Sequence, residues 1–248
     1  MHNPGISFCT TCKGRLHHLR LTLRQNIEDN KDCAPNVEFV LVDYDSPDGL
    51  EDWIKKEMMS YIKEGLLSYY QLRDRPRFFV AHAKNVAHRL ARYPVVCNVD
   101  ADNFLQPGFG KYVRETLSTP RNLFLRAPSA KGTFGRIAMF KTDFERLGGY
   151  DERFVYGWGF EDTDLVYRAK LLGLGESIIP KDQGFLWALD HHARERTRYT
   201  LVRNMAKSCQ RHMELSIDAI VSGHLVANQG HRWGAGRATK NLREIVEL

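Results

Sequence analysis

The sequence predicts an α/β fold in which a mostly parallel central sheet carries helices on both faces. Short apolar runs alternate with helix-period stretches through the first hundred residues, the order that parallel strands joined by crossover helices produce. Polar residues collect just after the apolar runs, where open parallel sheets bind their ligands. The chain's 248 residues suffice for one large domain of this kind, or two small ones, with a substantial core.

Taken in order, "ISFCT" reads as a first strand. Leu16, Leu19, Leu23 and Ile27 then recur at helical spacing and give the next helix one apolar face. "VEFVLVDYD" is a buried-strand run ending in acids. A helix follows from about Leu50 to Lys63, with Leu50, Trp53, Ile54 and Met58 on one side. "LLSYYQL" is a third strand, "AHAKNVAHRLA" a helix and "PVVCNVDAD" a fourth strand. Beyond residue 103 the pattern loosens: "KYVRETL" is helical, "NLFLRA" and "RIAMFK" are strands, and "TDFERLGGYDERF" is a short helix closed by a Gly-Gly turn. A helix from near Glu161 to Leu172 stops at "GLG", and "GFLWALDHH" is a strand leading into paired histidines. "VANQGHRWGAGRATKN" is Gly-rich and polar, as in a mobile tail or lid.

Hydrophobic content of 43% and charged content of 27% are those of a soluble globular protein. No apolar run approaches the roughly 20 residues of a membrane span, and the start lacks the features of a signal peptide. The expected location is cytoplasmic. Five cysteines in no even framework favour a reducing compartment. Cys9 and Cys12 form a CxxC, but without a second pair they read as a strand-end and a loop cysteine. The net charge of +6 points to an anionic partner, and residues 194–211 hold six basic residues against one acid. That segment could face a diphosphate, an acidic polymer, nucleic acid or a membrane surface, or be a solvated helix face.

Two stretches carry chemistry. "VDAD", residues 99–102, sets two carboxylates one residue apart at the end of an apolar strand. At a turn, one can reach a metal while the other meets a sugar or ribose hydroxyl. "GWGFEDTDLVYRA", residues 157–169, places Glu161, Asp162 and Asp164 behind a Gly-flanked Trp158. Acids at a helix start are favoured by the unpaired N–H groups and the dipole, and Asp164 can pair with Arg168 at i, i+4. Neither effect explains the tryptophan between Gly157 and Gly159. An exposed indole beside a carboxylate makes a platform for a sugar.

"VDAD" together with "LGGYDERFVYGWGFEDTDLVYRA" resembles the GT-A glycosyltransferases, especially the galactosyl- and N-acetylgalactosaminyltransferase group with its GWGxEDxDL motif. "FVLVDYDSPDG" resembles that group's VVDDGSxDG segment, and "AKNVAHRLA" its ARNxGxxxA helix; the likeness spans about residues 5–195. The resemblance implies a GT-A fold and a metal-dependent, inverting transfer of a hexose or N-acetylhexosamine. The donor would be UDP-Gal, UDP-GalNAc or UDP-GlcNAc, the acceptor a saccharide or glycoconjugate hydroxyl, and the cofactor Mn²⁺ or Mg²⁺. Asp43 or Asp45 would contact the uracil or ribose, with Thr10, Arg15 and Asn85 in the same nucleotide pocket. Asp100 would meet the ribose or sugar, and Asp102 would ligate the metal together with His191 or His192. Asp162 would be the catalytic base, its proton affinity raised by crowding from Glu161 and Asp164. Trp158, Gly159 and Glu161 would position a sugar. Phe160 departs from the usual Gly and would narrow the acceptor space; Lys84 stands where Arg is usual; and "LDHHARER" replaces the usual His-x-Glu.

On this reading residues 1–204 form the transferase domain, with a nucleotide-binding half (1–103) and an acceptor and metal half (104–204). Residues 205–248 add a helical extension and the Gly-rich tail or lid. No nucleic-acid partner is expected, whereas 194–211 offers a peripheral membrane or anionic-acceptor contact. Two alternatives compete: a non-enzymatic module binding an acidic polymer through 194–211, and a sugar nucleotidyltransferase, for which the single Gly14 is poor support.

Overall fold

The computed structural model describes residues 3–118, 122–128 and 132–248. Strand β1 (Ile6–Cys12) leads into α1 (Leu16–Asn30), and β2 (Val37–Tyr44) into α2 (Leu50–Trp53), a π-turn (Ile54–Met58) and α3 (Met59–Lys63). Then come β3 (Leu67–Leu72), α4 (Val80–Leu90), β4 (Val95–Asn98), β5 (Asn103–Phe104) and α5 (Phe109–Thr116). The second half runs β6 (Leu123–Arg126), β7 (Ile137–Phe140), α6 (Lys141–Arg146), α7 (Glu161–Leu171), β8 (Gly175–Ile178) and β9 (Trp187–Ala188). The chain closes with α8 (Ala193–Thr197), α9 (Met205–Val221), β10 (Arg237–Lys240) and β11 (Glu244–Glu247).

Among the described residues the main sheet has nine strands in the order β11-β10-β3-β2-β1-β4-β7-β6-β8. Only β7 and β10 run against the others. Every residue of β2 is buried, as expected of a strand covered on both faces. Alternation along the strands divides the core. Phe8, Phe39 and Leu41 pack with Leu19, Leu23 and Phe109 on one face; Cys9, Val40 and Val42 pack with Val86, Phe144 and Leu165 on the other. The CxxC lies wholly within β1, and its cysteines belong to opposite faces, so they cannot act as a pair.

Two expectations need correcting. "GFLWALDHH" forms a strand only at β9, which pairs with β5 in a separate two-stranded sheet. The stretch expected as a mobile tail or lid instead leads into sheet: β10 pairs antiparallel with β3, and β11 with β10. The backbone groups at the β3 edge accept this pairing whatever the composition of the added segment. Residues before it are held as well, since Arg89 donates to the Trp233 carbonyl and the Gly234 N–H to Glu152 Oε1.

Candidate active site

A cleft of about 200 Å³ lies beyond the C-terminal ends of β1 and β4, walled by α4, the start of α7 and the β9–α8 segment. Its first wall follows from how β4 ends. Asn98 donates to Asp100 Oδ1 and to the Gly135 carbonyl, and the Asn103 N–H caps the Asp100 carbonyl, closing the Asp-Ala-Asp turn. The β5–β9 bridge, with Leu189 N–H donating to the Asp102 carbonyl at 2.8 Å, carries the histidine segment to that turn. His191 Nε2 therefore lies 2.6 Å from Asp102 Oδ2, both nearly buried, while its Nδ1 faces the His192 carbonyl at 3.2 Å. A ring whose Nδ1 donates to that carbonyl turns an Nε2 lone pair toward a carboxylate, so a proton or a cation belongs between them. Burial pushes the Asp102 carboxyl up, but His191 and Arg15 outweigh it and hold it below the ordinary range. A buried carboxylate and imidazole converging in this way fit a divalent ion of the Mn²⁺ or Mg²⁺ kind.

The opposite wall is the start of α7. Phe160 precedes the helix at φ 76°, a left-handed conformation that costs a bulky residue energy and accounts for Gly being usual there. Lys84 reaches from α4 to donate to Asp162 Oδ1 at 2.7 Å and to Glu161 Oε1 at 3.1 Å, and is 2% exposed. Burial works against the ammonium, but Asp162, Glu161 and Asp100 around it keep it protonated. One ammonium cannot neutralise all these carboxylates. Burial raises and Lys84 lowers Glu161, with the balance downward. Asp162 is pushed up to about 7, by burial first and then by Glu161 and Asp100 against the pull of Lys84. Gly135 makes room for this group: a Cβ there would fall 2.8 Å from Asp162 Oδ2 and 3.1 Å from Asp100 Oδ2.

Helix α9 braces the wall from behind. Ser208 Oγ donates to the Trp158 carbonyl and His212 Nδ1 lies 2.7 Å from the Gly159 carbonyl. Gly157 is required by this approach, since a Cβ would lie 2.6 Å from Ser208 Oγ and 2.7 Å from the Val202 carbonyl. Trp158 is half-buried and lines the cleft. Asp164 does not crowd Asp162 as expected: it is buried in an ion pair with Arg168 at 2.7 Å and accepts from Ser216 Oγ.

Residues 120–192, which include these walls in part, match the family described as the N-terminal domain of galactosyltransferase. No curated protein matches the chain. Among solved structures, the mannosyltransferase PcManGT of Pyrobaculum calidifontis, in complex with GDP-Man and Mn²⁺, is similar at 20% identity and TM-score 0.59 over 73% of this chain and 56% of that one. TarS 1–349 of S. aureus in complex with UDP is similar at 15% identity and TM-score 0.58 over 71% and 57%. GalNAc-T7 with UDP, GalNAc and Mn²⁺ is similar at 16% identity and TM-score 0.59 over 72% and 43%. The fold is GT-A. The chain spans about half the length of these structures.

In this GT-A frame, Arg15, Asp100, Asp102, Trp158, Gly159, Glu161, Asp162 and His191 come together around one cleft. His192 does not: it is exposed and precedes α8. Four residues expected in the nucleotide pocket lie outside the cleft lining. Thr10 is buried while its neighbour Thr11 lines the cleft, because alternate strand residues face opposite ways. Asp43 is buried, accepting from Tyr69 Oη and the Ser46 N–H. Asp45, at φ 60°, accepts from the Arg75 N–H. Asn85 ties α4 to both backbone groups of Tyr150. Conversely, Lys13 and Phe78 line the cleft without a signal in the sequence, while Glu195, Arg196 and Tyr199 enter it from the basic segment 194–211. Lys84 stood out only as a departure from a motif. His17, His18 and Glu195 gather at the rim with metal-like spacing. Arg15 Nε donates to His18 Nδ1 at 2.7 Å, which leaves the proton on the other ring nitrogen and no lone pair there for an ion.

Proposed function

We propose that the chain is a metal-dependent inverting glycosyltransferase that moves a hexose or N-acetylhexosamine from a UDP-sugar to a saccharide hydroxyl. The observation that carries this reading is a carboxyl of raised proton affinity, Asp162, in the same cleft as the Asp102–His191 pair. Asp102 and His191 would hold Mn²⁺ or Mg²⁺, and such an ion, when bound, supplies positive charge to a departing diphosphate. Two of the similar structures were solved with Mn²⁺.

The remaining chemistry belongs to the chain. Arg15 and Arg196 place fixed positive charge beside His191 and Asp102, where the leaving group gathers negative charge. Phe78 and Tyr199 offer aromatic surface for the uracil on the β1 side. Asp162 takes the proton of the acceptor hydroxyl through Oδ2, because Lys84 holds Oδ1. Pushed up to about 7, it is a stronger base than an ordinary carboxylate. A base that activates the acceptor from across the cleft favours direct displacement and inversion. Trp158 gives the sugar a ring face to lie against, and Phe160 limits its depth.

The test is a panel of UDP-sugars with Mn²⁺, with and without EDTA, scored for released UDP and for donor binding by calorimetry. Asp102→Ala should lose metal-dependent donor binding. Asp162→Ala should keep donor binding while transfer falls about 100- to 10,000-fold. If no UDP-sugar binds the wild-type chain with or without metal, the proposal fails.

A further inference from the structure

Two arginines are buried among the described residues, and their surroundings differ. Arg168 has a carboxylate partner, Asp164, at 2.7 Å. Arg136, the residue before β7, is 1% exposed and forms no ion pair among the described residues; its Nε–H has no hydrogen-bond partner either. Burial pulls its guanidinium down to about 10, so the charge persists at neutral pH. The ring of Phe109, 5.4 Å from Cζ, only partly offsets the lost hydration. A methionine would fill such a place without that desolvation. The needs of the core therefore do not account for the charge.

Arg136 lies between the two segments that build the Asp102–His191 pair. Its Nη1 donates to the carbonyl of Phe185, two residues before β9, and the chain runs on from β9 to His191. Its Nη2 donates to Asn103 Oδ1 at 3.0 Å, directly after Asp102 in the chain. A guanidinium can only donate, so it fixes which end of the amide faces it: oxygen toward Arg136, nitrogen away. The Asn103 nitrogen then donates to Asp102 Oδ1 at 3.0 Å and to the Gly132 carbonyl at 2.9 Å. With Oδ1 engaged, Oδ2 is the oxygen turned to His191, at 2.6 Å. The turn's backbone is held separately, because Thr22 Oγ1 donates to the Ala101 carbonyl and Asn26 Nδ2 to the Asn103 carbonyl. Loss of the Asn103 amide would free the Asp102 carboxylate to rotate and leave the turn in place.

We propose that Arg136 and Asn103 are positioning residues for the ion that Asp102 and His191 would hold: the guanidinium sets the amide, and the amide presents one oxygen, Asp102 Oδ2, to the ion. This role rests on the metal-dependent reading of the cleft. The probe is Mn²⁺ titrated into the full chain with UDP present, the free ion being read by electron paramagnetic resonance. Asn103→Leu and Arg136→Met should each weaken Mn²⁺ binding about 10- to 100-fold. The double variant should lose no more than the weaker-binding single variant, because both act through one amide. Arg136→Lys, which still donates, should recover most of the affinity. Circular dichroism and thermal unfolding of the same samples identify the folded variants. The double variant is expected to be among them, since it replaces both partners of a buried polar pair with apolar side chains. Folded variants that bind Mn²⁺ as tightly as the wild type overturn the inference, and so do losses that add in the double variant. If Asn103→Leu does not fold, Arg136→Met against Arg136→Lys decides by the same measure. A wild-type chain that binds no Mn²⁺ with UDP removes the metal reading and this role together. A wild type that binds while the folded variants match it removes this role alone.

Discussion

Lys84 is the residue on which the charge state of the cleft turns. Its ammonium stands between Glu161 and Asp162, 2% exposed, and no second cation is hydrogen-bonded to either side chain among the described residues. Replacing it with Met removes the one group that lowers Asp162, so the proton affinity of Asp162 should climb above its present value of about 7. As the proposed base, Asp162 acts when ionised. The rate should therefore rise with pH through about 7 in the wild type and through a higher pH in Lys84→Met, while Lys84→Arg restores the wild-type position. A purely structural role would lower the rate at every pH and leave the profile in place. The same shift acts on stability. The folded Asp162 keeps a proton that the unfolded chain releases from about pH 4, so its contribution is full below that pH and is lost as pH rises through about 7. That Asp162, Asp102 and Trp158 line one cleft was legible from their places at the end of an apolar strand and at the start of a helix. Thr10 and Asn85 were misplaced because one-dimensional order does not say which face of a strand or helix a side chain takes. Lys84 was illegible as a functional group because its partners are 77 and 78 positions away.

At the scale of elements, the Asp164–Arg168 pair locks α7 to its surroundings. Arg168 also donates to the Leu147 and Gly149 carbonyls, and both charged groups are nearly fully buried. Asp164→Ala would strand a buried guanidinium and should cost about 3–5 kcal/mol, visible as a lower urea midpoint. The i, i+4 spacing alone announced the pair, but not its burial beneath α9, which the sequence reading treated as an extension. Gly157→Ala tests the α9 contact. The added methyl must displace Ser208 or the Val202 backbone, at about 1–3 kcal/mol in thermal unfolding, and should impair transfer through the neighbouring Trp158. Strands β1 to β4 were readable because their apolar runs are continuous and buried on both faces. Strand β9 was not, since two residues pairing outside the main sheet carry no periodicity of their own.

For the whole molecule, the sheet places its parallel centre, β3-β2-β1-β4, beneath the cleft and closes one side with β10 and β11. The Gly-rich approach hid β10, whose order comes from pairing with β3, and β11 in turn pairs with β10. Removing residues 237–248 should uncover the β3 edge, and the truncated chain should scatter light and melt earlier than the intact one. The same closure has a consequence for biosynthesis. His82 and Arg89 flank Lys84 on α4, and they are held by the carbonyls of Ala235 and Trp233. A nascent chain will have laid down every other wall of the cleft by residue 200, yet α4 remains braced on one side only until residues 233–241 emerge. The α4 wall that carries Lys84 thus gains these two braces only after the rest of the cleft lining has been synthesised.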